Sequence, residues 1–575
     1  MVTAFLSLPK RQHHYRAVPS RHGASASNAL KATATLPPPE AQRPKRGGAR
    51  RWWMVDRRAP HPLTTGVRAK PPNSLGMRGE IDEGLEVTPP SCPRPHQPDL
   101  HWFNANCEAQ VAAARSLDPA QPRLDPYLAR QFERDLRALP LLYCAAGDLV
   151  LLEDAPTAAF LRRLGSLGFP PAEIVRYCSP SESPTVRGGA YGREALASRD
   201  SSTCRPLRGR VIRNLRPWGW SAEGAAFLRA QGPGATWHPA WAELYSKAWS
   251  AARLGDFLGS RGDEDREWLC TTKVVGRACR TVEAVERTAA ECAEHGHEGR
   301  VVIKAAVASS GRGQIHCGRA PLREAQLGWL RKTLAAQGEV VVEPWLDKVA
   351  DLSLHFDVGV HGEVQVHGWS RFFTGPHGQY RGALVGGRLD SGLEASAKAF
   401  LEGNGDDSGI NSAGEGCARL CRLGVELATF LGQALHTAGY VGPVGVDTLV
   451  YYDVSATRQL QFKPIVEINP RNTMGRVALR LQSHLRVAAA VWLIVSRREA
   501  ELAGYDSIAE WAEHIEHKWP PVMTPDGKSL SAGAVFTNDP LIAKEFSTVD
   551  GYAVTIQAYG LHLHCGNCKR TGDPQ

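Results

Sequence analysis

The chain has 575 residues, of which 43% are hydrophobic and 22% charged, a composition typical of globular proteins with several domains. The longest uncharged apolar run, residues 487–495, is far shorter than the stretch of about 20 residues that a membrane-spanning helix needs, so an integral membrane protein is excluded. No apolar signal core precedes a small-residue cleavage site, and the 13 cysteines are odd in number and scattered. We therefore expect no classical secretion and predict a cytoplasmic protein.

The net charge of +9 belongs to the first hundred residues, which hold 16 basic and 7 acidic side chains, whereas the rest of the chain holds 52 of each. A basic catalytic body that binds nucleic acid is therefore not expected. Residues 1–97 contain 14 of the 39 prolines and few apolar side chains, which predicts a disordered arm.

The arm of residues 1–97 is open to several interpretations. We favour a solvated tail, or an over-extended reading frame whose true start is Met54 or Met77. A transit peptide and a nucleic-acid-binding arm are the alternatives. Twin-arginine export through Arg50-Arg51 is excluded because no apolar segment follows the two arginines.

From about Leu100 the pattern predicts a smaller α/β domain over residues 98–236. The segment Pro217-Trp218-Gly219-Trp220 predicts a turn whose tryptophans pack into the core, and Ser221 is a suitable N-cap for the helix that follows. The predicted elements are a helix over 127–139, a strand over 149–153, an amphipathic segment over 156–167 and a helix over 222–230.

Three further α/β units are predicted, over residues 237–345, 346–496 and 497–575. In the first of them we expect helices over 240–258, 282–295 and 323–337, and strands over 273–279, 300–304 and 339–345. In the second we expect strands over 352–360, 364–372, 445–452 and 462–470, and a long helix over 417–438.

The segment Glu467-Ile468-Asn469-Pro470-Arg471 carries the sharpest chemical signal. Because side chains alternate along a strand, Glu467, Asn469 and Arg471 should share one face, with Val466 and Ile468 on the apolar face. The short connection over 454–459 predicts that this strand pairs with the one that carries Asp447. Two carboxylates and an amide oxygen would suit Mg²⁺, and the guanidinium would suit a phosphate or carboxylate. The alternative is a row of exposed polar side chains on a half-buried strand.

A second signal is the apolar strand that ends at Lys304 and continues into the glycine-rich loop Ser309-Ser310-Gly311-Arg312-Gly313. Glycines let backbone N–H groups turn toward phosphate oxygens, and a lysine adds a point charge. The Gly-Lys-Ser/Thr ending of the Walker A loop is missing, so a P-loop NTPase is not expected. An ordinary glycine turn is the alternative interpretation.

A third signal lies where the strand Val340-Val341-Val342-Glu343-Pro344 continues into Trp345 and Leu346. A strand that connects two lobes can offer backbone groups and a carboxylate to an adenine ring, and Asp351 could accept hydrogen bonds from a ribose. An ordinary strand and turn would look the same.

Taken in this order, the lysine and glycine loop, the apolar hinge, the Gly-Val-Asp segment at Asp447 and the Glu-x-Asn-x-Arg segment resemble the ATP-grasp superfamily over about residues 240–485. The resemblance implies an α/β fold in which two α+β lobes, 237–345 and 346–496, clamp a nucleotide. It also implies ATP- and Mg²⁺- or Mn²⁺-dependent joining of a carboxylate to an amine or thiol through an acyl phosphate. Segments 101–104, 217–220 and 472–476 resemble uncharacterised bacterial ATP-grasp proteins, in which a smaller α/β domain comes before the grasp.

The resemblance also implies roles for particular residues. Arg471 and Lys304 would be catalytic, and Lys273 is a second candidate for the position of Lys247. The metal ligands would be Asp447, Glu467 and Asn469. The nucleotide-binding residues would be Lys247, Lys304, Ser309, Ser310, Gly311, Gly313, Glu343, Trp345, Leu346 and Asp351.

The chain departs from the family pattern at two positions. Ligases of the D-alanine type carry an arginine where this chain has Gly445, and their C-lobe lysine has no clear match, although Arg371 could supply the charge. Near the C-terminus, Cys565 and Cys568 have a zinc-like spacing, but structural zinc sites usually draw on two separated pairs, so we favour incidental thiols.

The leading hypothesis is an ATP-dependent ligase whose partners are small-molecule carboxylates and amines, with no nucleic acid and no membrane. A homodimer is left open. The alternatives are an ATP-grasp kinase and a nucleotide-binding protein without turnover.

Overall fold

A computed structural model describes residues 97–116, 126–177, 207, 209–231, 234–308, 313–319, 321–375, 378–403, 418–482, 490–527, 529–544 and 546–552. Within these stretches no helix is both long and apolar enough to cross a bilayer. The predicted arm up to residue 96 lies outside them, as do Ser309, Ser310, Gly311 and the Cys565–Cys568 pair.

The first domain contains strands β1 (Leu100–Trp102), β2 (Leu149–Leu152), β3 (Glu173–Arg176) and β4 (Leu215–Pro217) and helices α1 (Cys107–Ala114), α2 (Pro126–Leu136), α3 (Ala158–Ser166) and α4 (Ala222–Gln231). The strands form a parallel sheet in the order β3-β2-β1-β4. β2 is apolar and buried along its whole length, as expected of a parallel strand covered on both faces.

The sequence predictions for this domain are largely confirmed. Helix α2, strand β2 and helix α3 lie where they were expected, within a few residues. The Ser221 hydroxyl accepts a hydrogen bond from the N–H of Gly224 at 2.9 Å, which caps α4. Trp218 is buried in the core, as predicted for the turn that contains it.

The second unit contains helices α5 (Trp241–Leu244), α6 (Lys247–Gly259), α7 (Asp263–Arg266), α8 (Val282–Ala293) and α9 (Glu324–Gln337) and strands β5 (Arg277–Cys279), β6 (Val301–Ala305), β7 (Gln314–Cys317) and β8 (Val340–Pro344). Its strands form an antiparallel sheet in the order β5-β8-β6-β7. We call this sheet with α8 and α9 the N-lobe.

Two predictions for this unit are wrong in detail. The single helix expected over 240–258 is interrupted, because Ser246 is extended and its hydroxyl accepts the N–H of Ala248 at 3.1 Å, which caps α6. The strand expected over 273–279 is reduced to β5, because a 3₁₀ turn occupies Thr272–Val274.

The third unit, the C-lobe, and the segment after it share one sheet. The strands are β9 (Asp347–Val358), β10 (Val364–Thr374), β11 (Tyr380–Val385), β12 (Gly442–Tyr452), β13 (Leu460–Asn469), β14 (Ala490–Ser496), β15 (Val522–Met523), β16 (Leu530–Phe536) and β17 (Phe546–Tyr552). The helices are α10 (Ala395–Glu402), α11 (Ala418–Thr437), α12 (Met474–Gln482), α13 (Arg497–Leu502) and α14 (Ile508–Lys518).

The nine strands run in the order β13-β12-β9-β10-β11-β14-β17-β16-β15. Strands β15 to β17 belong to the segment that the sequence analysis assigned to a separate C-terminal unit, yet β17 pairs with β14 of the same sheet. The boundary near residue 497 therefore stays a prediction.

The sheet of the C-lobe has an apolar face and a polar face. Leu352, Leu354 and Phe356 of β9 are fully buried in a core that also contains α11. The alternating residues of β9 lie on the opposite face, which we call the polar face: Asp351, Ser353, His355 and Asp357. The predicted α/β class is confirmed, and the polar face is where the predicted site residues of the C-lobe lie.

Candidate active site

Three strands align the predicted metal ligands on the polar face. Asp447 of β12 lies directly opposite Glu467 of β13 on one side and opposite Ser353 of β9 on the other. In an antiparallel sheet, directly opposed residues point to the same side. The next row of the same face joins Asn469, Gly445 and His355. The hairpin predicted from the short connection is therefore present, and it brings both carboxylates together.

An irregularity in β13 changes which residues face the core. The register between β12 and β13 shifts between Asp447 and Leu449, where the partners pass from Glu467 to Lys463. A bulge of this kind interrupts the alternation of side chains. As a result Ile465 and Ile468 are the buried core residues, and the expectation that Val466 joins Ile468 on the apolar face is wrong, because Val466 is half-buried and lines the cleft.

Asp447 is the most perturbed acid of the site. Burial, together with the nearby charge of Glu467, raises the pKa of Asp447 to about 7, while the neighbouring hydroxyl of Ser353 acts in the opposite direction. The amide Nδ2 of Asn469 donates to Asp447 Oδ2 at 3.3 Å. Asn469 thus contacts Asp447, Glu467 lies directly opposite Asp447, and two neighbouring carboxylates are an arrangement that a divalent cation would stabilise.

Lys247 connects the predicted metal ligands on β12 and β13 to the N-lobe. It is the first residue of α6 and is 8% exposed. Its Nζ donates to Glu467 Oε1 at 2.6 Å and to the carbonyl oxygen of Ala308 at 2.8 Å. Ala308 lies where the chain leaves β6 for the predicted phosphate loop. Of the two lysine candidates, Lys247 therefore lies in the site, whereas Lys273 is exposed on the 3₁₀ turn.

Glu343 holds two lysines at the junction of the lobes. Its carboxylate is paired with Lys304 of β6, and Lys463 of β13 donates to Glu343 Oε2 at 2.8 Å. Burial alone would raise the pKa of Glu343, but the two ammonium groups outweigh it and lower that pKa to about 2. The sequence analysis missed Lys463, which lies on the same strand as Glu467. An isolated lysine within an apolar strand was its only signal.

The predicted adenine hinge is less open than expected. The N–H of Trp345 donates to the carbonyl of Arg300 at 2.9 Å, and its own carbonyl accepts from the N–H of His297 at 2.7 Å. Both backbone groups are therefore engaged within the N-lobe. Leu346 is buried in the C-lobe core. Asp351, on the polar face, accepts hydrogen bonds from Lys348 at 2.7 Å and from Thr374 at 2.9 Å.

Arg471 is half-buried and already paired. Its Nε donates to Glu108 Oε1 of α1 at 2.7 Å, and its Nη2 donates to Asn469 Oδ1 at 2.9 Å. Tyr245, whose hydroxyl donates to the carbonyl of Trp220, also lies at the Pro470 carbonyl. These contacts connect the first domain to β13, which carries the predicted metal ligands Glu467 and Asn469. In this structure Arg471 orients Asn469, and the sequence could not show that its partner would be Glu108.

Two further predicted positions can be located. Gly313, at the end of the predicted phosphate loop, has a positive φ of 66°, and its carbonyl accepts the N–H of Ala305 at 2.8 Å. Arg371 is paired in register with the core residue Leu352, on the face opposite Asp351, and its guanidinium donates to the carbonyls of Leu389 and Ser391. Arg371 is therefore not placed to supply the missing C-lobe charge, whereas Lys463 lines the cleft.

The cleft between the lobes is nearly filled by its own side chains. The cavity lined by Lys247, Lys304, Glu343 and Lys463 has a volume of about 10 Å³, roughly that of one water. A larger cavity of about 190 Å³ lies elsewhere, between the first domain and the C-lobe. We place the candidate active site at the smaller one, because the three lysines line it and Lys247 links it to Glu467 of the carboxylate pair.

Comparisons with known proteins give weak likenesses only. No family model matches the chain, and no curated protein matches it. Among solved structures, an N5-carboxyaminoimidazole synthetase from Staphylococcus aureus with ADP is 12% identical, with a TM-score of 0.37 over 80% of this chain and 94% of that one. The biotin carboxylase domain of the Hydrogenobacter thermophilus 2-oxoglutarate carboxylase is 12% identical, with a TM-score of 0.36 over 80% and 87%.

Likenesses at these scores carry no weight by themselves. The chain's own features are more informative: Lys304 lies near the end of β6 in the N-lobe sheet, β8 leads from that sheet into β9 of the C-lobe, and Asp447, Glu467 and Asn469 lie on two paired strands of the C-lobe sheet. These are the features on which the resemblance to the ATP-grasp superfamily rests.

Proposed function

We propose that the protein is an ATP- and Mg²⁺-dependent ligase that joins a carboxylate to an amine or thiol. The observation that carries this proposal is the convergence of a paired carboxylate row, Asp447 and Glu467, with a cluster of lysines from both lobes. Opposite charges at the junction of two lobes suit a metal-loaded triphosphate. Solved structures with a similar fold are described with ADP or MgADP bound.

Asp447, Glu467 and Asn469 would hold the cation. Their oxygen atoms are hard ligands of the kind that Mg²⁺ or Mn²⁺ prefers. The raised pKa of Asp447 supports this fit, because it reports a buried negative charge that lacks enough positive charge nearby. When bound, the metal would neutralise phosphate charge. Arg471 would position Asn469 through its hydrogen bond.

The three lysines would exchange carboxylate partners for phosphate oxygens when a nucleotide enters. Lys304 and Lys463 now share Glu343, and Lys247 pairs with Glu467. A triphosphate offers more negative charge than one carboxylate, so these lysines are placed to receive it. The cleft of about 10 Å³ must widen for this exchange, which requires the two lobes to separate.

In the proposed reaction, a substrate carboxylate oxygen attacks the γ-phosphorus and ADP leaves, which gives an acyl phosphate. The amine or thiol then attacks the acyl carbon, releases phosphate and gives up one proton. The lysines would offset the negative charge as it moves between oxygens, so the protein contributes mainly positioning and electrostatic stabilisation. Glu343 keeps Lys304 and Lys463 ordered before the nucleotide binds.

A kinase of the same fold remains the second candidate, because the same phosphate-binding groups would serve phosphoryl transfer to a hydroxyl or carboxylate. Product analysis separates the two reactions, since only the ligase releases free phosphate and forms an amide or thioester. A nucleotide-binding protein without turnover is the third candidate, and it predicts binding of ATP with no ADP formed.

The test is a screen for ADP release by the full chain, with carboxylic acids crossed against amino acids and polyamines, and with mass spectrometry of the products. We expect ADP and phosphate to appear in equal amounts only when a carboxylate and a nucleophile are both present. Release of ADP that depends on neither would contradict a ligase.

Matched variants make the screen decisive. Lys304→Ala removes a lysine of the cleft, and Lys273→Ala removes an exposed lysine of the same lobe. We expect the first to lose turnover and the second to keep it. Equal turnover in both variants would show that the lysine cluster does not act on a nucleotide.

A further inference from the structure

The larger cavity, of about 190 Å³, lies between the parallel sheet of the first domain and the polar face of the C-lobe. Its volume equals that of several water molecules, so a small organic molecule fits. One wall comes from Asp99, His101, Asp148 and Tyr143 of the first domain, and the other from residues of β9, β12 and α12.

The cavity is rich in guanidinium groups. Arg213 and Arg216 both contact Asp99, at 2.8 and 3.2 Å, so one carboxylate is shared by two positive charges. On the opposite wall Arg476 pairs with Asp357 at 2.8 Å, and Arg480 also lines the space. Four guanidinium groups and three carboxylates thus line the cavity, and guanidinium groups have the forked geometry that binds oxyanions.

Two buried polar atoms of the cavity wall have no hydrogen-bond partner among the described residues: Tyr143 Oη and His101 Nδ1. Buried polar atoms in folded proteins nearly always have a partner, so two in one cavity point to a ligand. The tyrosine hydroxyl can donate. His101 Nε2 lies 3.0 Å from Asp148, which can only accept as a carboxylate, so Nε2 carries a proton, and Nδ1 is the acceptor of that tautomer.

The cavity is separate from the candidate active site. Asp357, opposite Pro443 on β12, lies two rows from the row of Asp447 along the strands, roughly 14 Å at the spacing of an antiparallel sheet. The row between them is covered, because a Cβ at Gly445 would lie 2.5 Å from Thr473. A molecule in the cavity therefore does not reach the carboxylate pair along this face.

We propose that this cavity is a second ligand site, which binds a small oxyanion that also carries a hydroxyl group. The arginines and Tyr143 bind the oxyanion, and the ligand hydroxyl donates to His101 Nδ1. Either a hydroxycarboxylate or a phosphate ester of a small alcohol has this chemistry. The proposal does not depend on the function of the cleft, because every group that it uses lies outside the lysine cluster.

The test is isothermal titration calorimetry on the full chain without nucleotide, at constant ionic strength in a chloride buffer. One arm compares malate with succinate, and the other compares glycerol 3-phosphate with inorganic phosphate. We expect the hydroxylated probe of at least one pair to bind in the millimolar range or tighter, and its partner more weakly. If neither hydroxylated probe binds, the proposal is overturned. If the two members of each pair bind equally, the role given to His101 is wrong.

Variants locate the binding. Tyr143→Phe removes a hydroxyl that has no described partner, so the midpoint of thermal unfolding should stay unchanged while the probe binds about tenfold more weakly. Arg216→Gln leaves Asp99 paired with Arg213 and should weaken binding similarly. Tyr505→Phe, at a tyrosine that packs against His514 in the last unit, is the matched control and should not change binding. Equal affinity in Tyr143→Phe, Arg216→Gln and Tyr505→Phe would refute this location.

Binding should also persist in Glu467→Gln, which alters the cleft but not the cavity. This result keeps a failure of the proposed ligase activity distinct from a failure of the second site. Loss of probe binding in Glu467→Gln would contradict the separation of the two sites.

Discussion

Two carboxylates on the same face of the C-lobe sheet have opposite electrostatic surroundings. Asp357 is paired with Arg476 and lies 3.0 Å from His367. Burial acts to raise the pKa of Asp357, but these two partners hold that pKa well below its usual range. Asp447 is also half-buried, but it lies directly opposite Glu467, and burial together with that charge raises the pKa of Asp447.

This difference shows which of the two carboxylates is already balanced by a cation of the protein. At Asp357 the negative charge is balanced by a guanidinium of α12, so the ion pair holds the helix on the sheet. The cations near the Asp447–Glu467 pair are Lys247, which contacts Glu467, and Arg471, which is paired with Glu108. Two adjacent acids whose cations are engaged elsewhere as well are costly as they stand, and a divalent cation would relieve their repulsion.

The largest expected effect is on turnover. Asp447→Asn or Glu467→Gln should reduce ADP release on the order of 10³-fold, because each removes a charge that would hold the metal against the phosphates. Asp357→Asn, at the balanced end, should keep turnover within a factor of a few while it lowers stability. The measurement is ADP release at saturating substrate, together with denaturation curves. Similar losses of turnover at both ends would remove the distinction between them.

The next effect is on stability. Glu343→Gln leaves Lys304 and Lys463 buried without their carboxylate, and it should lower the free energy of unfolding by about 3 kcal/mol. Glu324→Gln, in an exposed ion pair with Arg331, should leave it nearly unchanged. Urea denaturation of the three proteins measures both. If Glu343→Gln loses as little free energy of unfolding as Glu324→Gln, Lys304 and Lys463 must find other partners or water.

Nucleotide binding should stabilise the fold to a similar extent. With magnesium present, ATP at 100 times its dissociation constant should raise the free energy of unfolding by about 2.7 kcal/mol, because it binds only the native state. Thermal unfolding with and without ATP measures this gain. The gain should vanish in Lys304→Ala and persist in Asp357→Asn; a gain that survives in Lys304→Ala would place the nucleotide elsewhere.

The smallest effects concern pH, and two buried groups should act in opposite directions. Burial lowers the pKa of His355 to about 3, so the unfolded state takes up a proton first and stability falls as the pH drops below about 6.5. The pKa of Asp447 is raised to about 7, so the native state takes up the proton first and stability grows as the pH drops below 7. In the wild type the two contributions oppose each other between pH 6.5 and the ordinary carboxylate range.

Single variants separate the two contributions. Relative to the wild type in EDTA, Asp447→Asn should lose stability on acidification and His355→Gln should gain it, each by up to about 1.4 kcal/mol per pH unit. Urea denaturation at several values between pH 7 and 5 measures both slopes. Slopes of the same sign in the two variants would disprove the assignment of opposite shifts.

The sequence was sufficient for the parts of the site that depend on local pattern. The short connection between β12 and β13 and the alternation of side chains predicted the facing of Asp447 and Glu467, because a hairpin fixes the register of its two strands. The capping of α4 by Ser221 followed from the same kind of local rule.

Contacts between distant segments could not be predicted from the sequence. Lys463 reaches Glu343 across 120 positions, and Glu108 reaches Arg471 across 363. The bulge of β13 could not be predicted either, because the alternation of side chains assumes a regular strand. The sequence analysis therefore assigned Val466 to the wrong face of the sheet. The arginine cavity brings together six separate stretches, none of which has a distinctive motif of its own.

The most direct test of the central claim is a titration of the full chain with Mn²⁺ in the presence of ADP. Binding is measured as the loss of the free-ion signal in electron paramagnetic resonance. The carboxylate row should take up the ion in the wild type and in Asp357→Asn, and uptake should be lost in the double variant Asp447→Asn, Glu467→Gln. Equal uptake by the double variant and the wild type would contradict the account.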